Sequence, residues 1–245
     1  MNSGDPTRIP AYKKGFRVAD DKSISASSSP KSSELVHTFG IEDYDAYWEA
    51  RDLGKGLTET HEIILELLPG LVSSPAKILE LGPGPGYLLH ELEKKGYSMH
   101  ACDISKLALE QLKLPAERMR QADLNQGFPE FGLRFRAIIA GMVLHHMDRP
   151  ETLLANIRGA LEDGGLLILN TPNLSTLPNR LRFLFGHFPK LSRSHKNFMT
   201  PWEVRQLLEQ SRLKVLSCLP ARRKFHYRVS PVLFSRKLIY VCQAV

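Results

Sequence analysis

The chain has 245 residues, 42% hydrophobic and 24% charged, with a formal net charge of +7. That is long enough for one large domain with a full core, and the balance excludes a fibrous or wholly disordered chain. Three scattered cysteines, Cys102, Cys218 and Cys242, form no C-x-x-C pair, which argues against a zinc site or a disulfide framework and for a reducing compartment. The opening M-N-S-G-D-P-T-R-I-P has no apolar h-region, and no apolar run approaches the ~20 residues of a membrane span. A cytoplasmic location is therefore expected. The positive charge permits an anionic partner without demanding one.

Residues 1–33 are polar and serine-rich and read as a disordered tail. Asp5, Asp20 and Asp21 oppose a transit-peptide reading. Residues 34–245 read as the folded domain, with 34–74 ahead of its core. There Tyr44, Tyr47, Trp48 and Arg51 form an aromatic and basic cluster. Ile63, Ile64, Leu67 and Leu68 then mark a helix that Pro69-Gly70 should end.

The stretch 77–87, K-I-L-E-L-G-P-G-P-G-Y, is the pivot of the sequence. Ile78, Leu79 and Leu81 predict a strand covered on both faces. Gly82, Gly84 and Gly86 predict a tight turn on which a ligand can lie against the backbone. Leu88, Leu89 and Leu92 begin a helix whose free N–H groups would face that ligand. A dinucleotide fingerprint would need glycine where Tyr87 stands, which argues against a nicotinamide-dependent oxidoreductase.

The next strand is Ser98–Asp103, with Asp103 at its end. An acidic residue there accepts both ribose hydroxyls in nucleoside-binding α/β folds. It could instead cap the next helix, although Ser105 can cap it equally well. A helix over 106–112 leads to a third strand near 118–122, followed by Asp123 and Leu124. The fourth strand, 136–142, is nearly all apolar and runs into Val143-Leu144-His145-His146. A histidine beyond a central strand is placed to act as a general base, or it packs the loop. Consecutive residues point apart, so only one of the pair should face an acceptor. A helix over 150–161, a turn at Glu162-Asp163-Gly164-Gly165 and a fifth strand over 166–170 follow.

Residues 172–200 form an insertion in which Leu177, Leu181, Leu184, Phe185 and Phe188 recur among Arg180, Arg182, Lys190 and Arg193. This reads as a mobile lid with an apolar inner face and a basic rim, as a surface helix that touches membrane or a partner, or as core packing with solvated charges. Thr200-Pro201 with Glu203 opens the next helix through a capping box. A strand over 214–219, a basic stretch from 220 to 230 and a closing strand over 238–245 complete the chain. That basic stretch reads as a solvated hairpin tip more readily than as a nucleic-acid patch.

The E-x-G-x-G-x-G run from Glu80, the acidic strand end at Asp103, Asp123-Leu124, and L-x-D-G-G-x-L-x-I from Leu161 together resemble class I S-adenosylmethionine-dependent methyltransferases. The segment H-x-x-F-x-T-P from His195 is similar to their small-molecule branch, including the quinone-pathway and methionine-pathway enzymes. The resemblance implies a doubly wound α/β fold with a seven-stranded, mostly parallel sheet in the order 3-2-1-4-5-7-6, the last strand antiparallel. It implies S-adenosylmethionine as cofactor, held by Tyr47, Arg51, Glu80, Gly82, Gly84, Gly86, Asp103, Ile104, Asp123, Leu124, Gly141 and Met142, with no metal. His145 and His146 are the candidate catalytic residues. The G-M-V-L-H-H sequence lacks the D/N-P-P-Y/F element of nucleobase amine methylation. A small-molecule acceptor methylated at oxygen is therefore expected, rather than nucleic acid. The alternatives are an RNA or other nucleic-acid methyltransferase, and a cofactor-binding module without catalysis.

Overall fold

The computed structural model describes residues 44–49, 56–189, 196–223 and 225–245. The serine-rich tail, Arg51, Lys190, Arg193 and His195 lie outside the described residues. Helix α1 (Tyr44–Glu49) and helix α2 (Glu59–Leu71) precede the sheet. Then come β1 (Lys77–Leu81), α3 (Tyr87–Lys94), β2 (Ser98–Asp103), α4 (Lys106–Gln111), β3 (Met119–Gln121) and β4 (Phe135–Gly141). The second half holds α5 (Pro150–Ala160), β5 (Leu161–Pro172), α6 (Leu177–Leu184), α7 (Pro201–Gln210), β6 (Leu213–Pro220), α8 (Phe225–Val229), α9 (Pro231–Phe234) and β7 (Lys237–Ala244).

The seven strands form one sheet in the order β3-β2-β1-β4-β5-β7-β6. All neighbouring pairs are parallel except those that β7 makes with β5 and β6. Side chains alternate across a strand, and here the alternation feeds two cores. Leu79, Leu81, Ile138, Leu167 and Leu169 join the core under α5 and α7. Their neighbours Ile78, Ala137, Ile139, Leu166 and Ile168 join the core under α2 and α3. Each fully buried leucine or isoleucine contributes about 1.5–3 kcal/mol. This two-sided burial is what the near-continuous apolar runs of the sequence encode.

Three local differences from the sequence reading have physical causes. Pro69 does not stop α2, which runs on to Leu71. A proline in the last turn removes one N–H, and the turn is still closed by Val72 N–H donating to the Leu68 carbonyl at 2.8 Å. The fifth strand begins at Leu161 rather than 166, because Leu161 already pairs with Phe135 and Leu166 with Ala137. The turn 162–165 is thus a bulge within one strand, not the loop before it. The basic stretch 220–230 carries the short helix α8 rather than a hairpin tip, and α9 follows it.

The helix caps follow the sequence closely. Thr200 accepts from Glu203 N–H, while the Glu203 carboxylate accepts from Thr200 N–H at 2.6 Å. Ser105 caps α4 by accepting from Ala108 N–H at 3.0 Å.

Candidate active site

The carboxyl ends of β3, β2, β1 and β4 lie side by side at one edge of the sheet, where ligands bind in such folds. The loop between β1 and α3 closes this edge. Gly84 has φ +55° and Gly86, the N-cap of α3, has φ +79°. Both lie in the left-handed region that other residues adopt only at a cost. Gly84 N–H donates to one oxygen of Asp103 at 3.0 Å, and Ser105 N–H donates to the other at 2.9 Å. Asp103 therefore ties the glycine loop to the end of β2 and leaves the capping of α4 to Ser105. The carboxylate is 7% exposed. Burial raises its pKa, and the backbone N–H groups of Ser105, Gly84 and Ile104 oppose that rise.

Glu80 is 5% exposed, and its Oε2 has no hydrogen-bond partner among the described residues. Burial, then the nearby charge of Asp103, pushes its carboxyl up to about 8. Such an atom is costly to leave unpaired. Asp123 lies just past β3, and its Oδ1 accepts from Asn125 N–H at 2.9 Å. Tyr44 is pushed up to about 12 by burial, then by Asp103 and by Asp123. A group of carboxylates thus shares one cleft in a chain whose overall charge is positive.

Helix α1 lies across this cleft. A Cβ added to Gly84 would stand 2.4 Å from the Trp48 ring, so the indole rests on the glycine loop. Tyr47 meets Trp48 edge-on, with ring centroids 5.2 Å apart. Ile104 is half-buried, and its carbonyl accepts from the Gln121 side chain at 3.1 Å. Leu124 packs half-buried against the core under α5. Tyr44, Asp45 and Trp48 were not among the expected site residues. The only signal for them was the aromatic cluster itself, which does not say which member reaches the loop.

At the end of β4, Met142 has φ +61°, a conformation unusual for a side-chain-bearing residue. Its N–H donates to the Asn170 carbonyl at 2.9 Å, which holds it there. Residues Leu144–His146 form a 3₁₀ turn. His145 is 1% exposed and His146 is half-buried. Their rings do not diverge: the centroids are 4.1 Å apart at a tilt of 42°. The turn is pinned by the far end of the insertion. Lys196 and Asn197 donate their N–H groups to the His145 carbonyl at 2.9 and 3.1 Å, and Lys196 Nζ pairs with Asp148 at 2.6 Å.

Helix α6 has no buried residue. Leu181 is 47% exposed, Leu184 76% and Phe185 72%. Phe188 stacks edge-on between Phe183 and Phe198. Core packing does not account for these side chains. Of the basic residues near 222, Arg222 pairs with Glu59 and Arg223 with Glu66. These two are engaged within the fold rather than presented as a phosphate-binding face.

The methyltransferase domain family matches residues 47–217. A ubiquinone biosynthesis O-methyltransferase from Coxiella burnetii is 24% identical over 183 residues, which are 69% of this chain and 77% of that protein. The mitochondrial ubiquinone biosynthesis O-methyltransferase of Mus musculus is 26% identical over 164 residues, covering 60% of this chain and 44% of that protein. Among solved structures, the magnesium protoporphyrin IX methyltransferase of Synechocystis PCC 6803 with bound S-adenosylhomocysteine superposes with a TM-score of 0.59. It is 16% identical, and the match covers 87% of this chain and 99% of that one. The 1,6-didemethyltoxoflavin-N1-methyltransferase of Burkholderia thailandensis has a TM-score of 0.58 at 16% identity, covering 91% of this chain and 93% of that one.

Proposed function

The chain belongs to the methyltransferase domain family and is an S-adenosylmethionine-dependent methyltransferase; from that premise we propose that its acceptor is a small molecule methylated at oxygen. The observation that carries the donor half of this reading is Glu80, a buried carboxyl with an unsatisfied oxygen beside Asp103. A cationic ligand seated at the end of β1 would satisfy both. S-adenosylmethionine carries a sulfonium and an ammonium group, and so fits an acidic cleft over a glycine loop. When bound it supplies an electrophilic methyl group.

The residues divide the work as follows. Gly82, Gly84 and Gly86 let the donor approach the backbone. Glu80 pairs with its positive charge, and Asp103 accepts from its ribose hydroxyls. Asp123 accepts from the adenine amino group, with Ile104 and Leu124 against the ring. Tyr47 covers the cleft from α1, while Gly141 and Met142 floor it at the end of β4. With an electrophile this strong, the protein mainly aligns donor and acceptor and excludes water. An acceptor hydroxyl must also lose a proton, and His145 and His146 stand at the strand end where a base is needed.

The names of the relatives support a quinone-like phenol as acceptor. A metabolite screen read by release of S-adenosylhomocysteine tests this. Phenolic acceptors should be turned over without RNA or DNA, and turnover of nucleic acid alone would overturn it. If one histidine is the base, alanine there should lower kcat by about 10²–10⁴-fold with cofactor affinity retained. Full rates in both alanine variants would shift the reading to an amine or carboxylate acceptor.

The insertion covers the acceptor, with α6 and its C-cap Phe185 touching a lipid surface through Leu181, Leu184 and Phe185 beside Arg180 and Arg182. Leu181→Asp and Leu184→Asp change exposed positions, so both variants should fold. Acceptor KM should rise and binding to anionic vesicles should fall, while donor binding stays unchanged. Unfolding of either variant would mark α6 as structural. The three cysteines are free thiols, which supports a reducing, cytoplasmic setting.

A further inference from the structure

We propose that Asp45 is a positioning residue that latches α1 over the donor cleft, so that Trp48 acts as a gate seated on Gly84. The proposal rests on the donor site described above. Its basis is a pair of hydrogen bonds between parts of the chain 60 residues apart. Asp45 Oδ1 accepts from the Ser105 hydroxyl and from Leu107 N–H, the latter at 3.1 Å. Ser105 is the N-cap of α4 and Leu107 lies in its first turn, where N–H groups have no partner within the helix. The hydrogen bond from Ser105, then that from Leu107, holds the Asp45 carboxyl below its ordinary pKa.

The latch matters because α1 is too short to hold its own position. It is six residues long with no buried side chain. An isolated helix of that length is not stable, so its position must come from tertiary contacts. What it carries is aimed at the cleft. Trp48 lies on Gly84, and Tyr44 feels the charges of Asp103 and Asp123. The indole takes up the space beside the glycine that a Cβ would need. A donor that lies on Gly84 must meet this ring, and α1 must lift for it to enter. Asp45 also lies near enough to Asp103 to raise that carboxyl's pKa, so the closed latch adds to the negative field a cationic donor would experience.

The chain has two tryptophans, Trp48 and Trp202. A Trp202→Phe background therefore leaves Trp48 as the sole indole reporter. In that background Asp45→Ala should at least double the quenching of Trp48 by acrylamide in the ligand-free protein. S-adenosylhomocysteine affinity should weaken about tenfold, the size expected for losing hydrogen bonds to a charged acceptor. The change should lie in the dissociation rate and in donor KM, with kcat at saturating donor and the melting temperature nearly unchanged. Asp45→Asn keeps an acceptor oxygen and should recover most of the shielding. Trp48 as shielded in Asp45→Ala as in the parent would overturn the latch. So would a released Trp48 with donor affinity unaltered. Should the parent itself fail to bind S-adenosylhomocysteine, the donor assignment falls, while the ligand-free quenching still decides whether Asp45 holds Trp48.

Discussion

Replacing Gly84 with valine is expected to abolish useful donor binding while the fold survives. At φ +55° a branched side chain pays about 1–2 kcal/mol of backbone strain. Its Cβ would also stand 2.4 Å from the Trp48 ring. That ring sits on a short helix outside both cores, so it can move aside and the sheet need not break. The donor has no such freedom, because the new methyl groups occupy the surface it must lie on. A loss of ~3 kcal/mol, about 100-fold in affinity, should appear in calorimetric titration with S-adenosylhomocysteine. The melting transition should stay cooperative. Normal affinity in the folded variant would remove the donor site from this loop.

Donor binding should also release a proton near neutral pH, and Glu80 should be its source. Burial holds its carboxyl at about 8 in the fold, against an ordinary value of 4.5. In the ligand-free protein it is therefore mostly neutral at pH 7. The stability that its neutral form contributes is fully present below about 4.5 and is lost as pH rises towards 8. A cation seated beside it favours the charged form, so its pKa falls on binding and a proton leaves. Affinity should then rise by up to tenfold per pH unit below about 8 and level off above it. Titrations in buffers of different ionisation enthalpy count the protons directly. Glu80→Gln should flatten this dependence and make the ligand-free protein more stable at pH 8 and above. A pH-independent affinity in the parent would show that no cation reaches Glu80.

Much of this was legible in the sequence because local chemistry decides it. The apolar runs around Ile78, Ile138 and Ile168 fix strands covered on both faces, and glycine is needed where the loop turns left-handed. Thr200 and Ser105 cap their helices with partners only three residues away. The strand order followed from the family resemblance rather than from any single residue. What escaped depends on contacts between distant parts of the chain. Nothing near Asp45 says that it will meet Ser105, and nothing near Trp48 says that it will lie on Gly84. The start of β5 escaped for a similar reason, since Leu161 becomes a strand residue only by pairing with Phe135. The close, tilted packing of His145 and His146 follows from the 3₁₀ turn, where extended-chain alternation does not apply.

The placement of β7 bears on how the molecule is assembled. It comes last in chain order yet lies between β5 and β6. Until it is made, β6 has no partner in the sheet, and the outer edge of β5 is an open row of backbone groups. Strands β1 to β4 need nothing from it. During synthesis, which exposes the amino-terminal half first, the half that holds the glycine loop and Asp103 can therefore close early. The half that carries the 172–200 insertion waits for a strand some 70 residues further along, as the pairing of Asn170 with Ile239 requires. Such long-range pairing is slow to form. The β5–β7–β6 side of the sheet is thus the last part of the protein to take shape, and the part with the longest exposure to misassembly on the way.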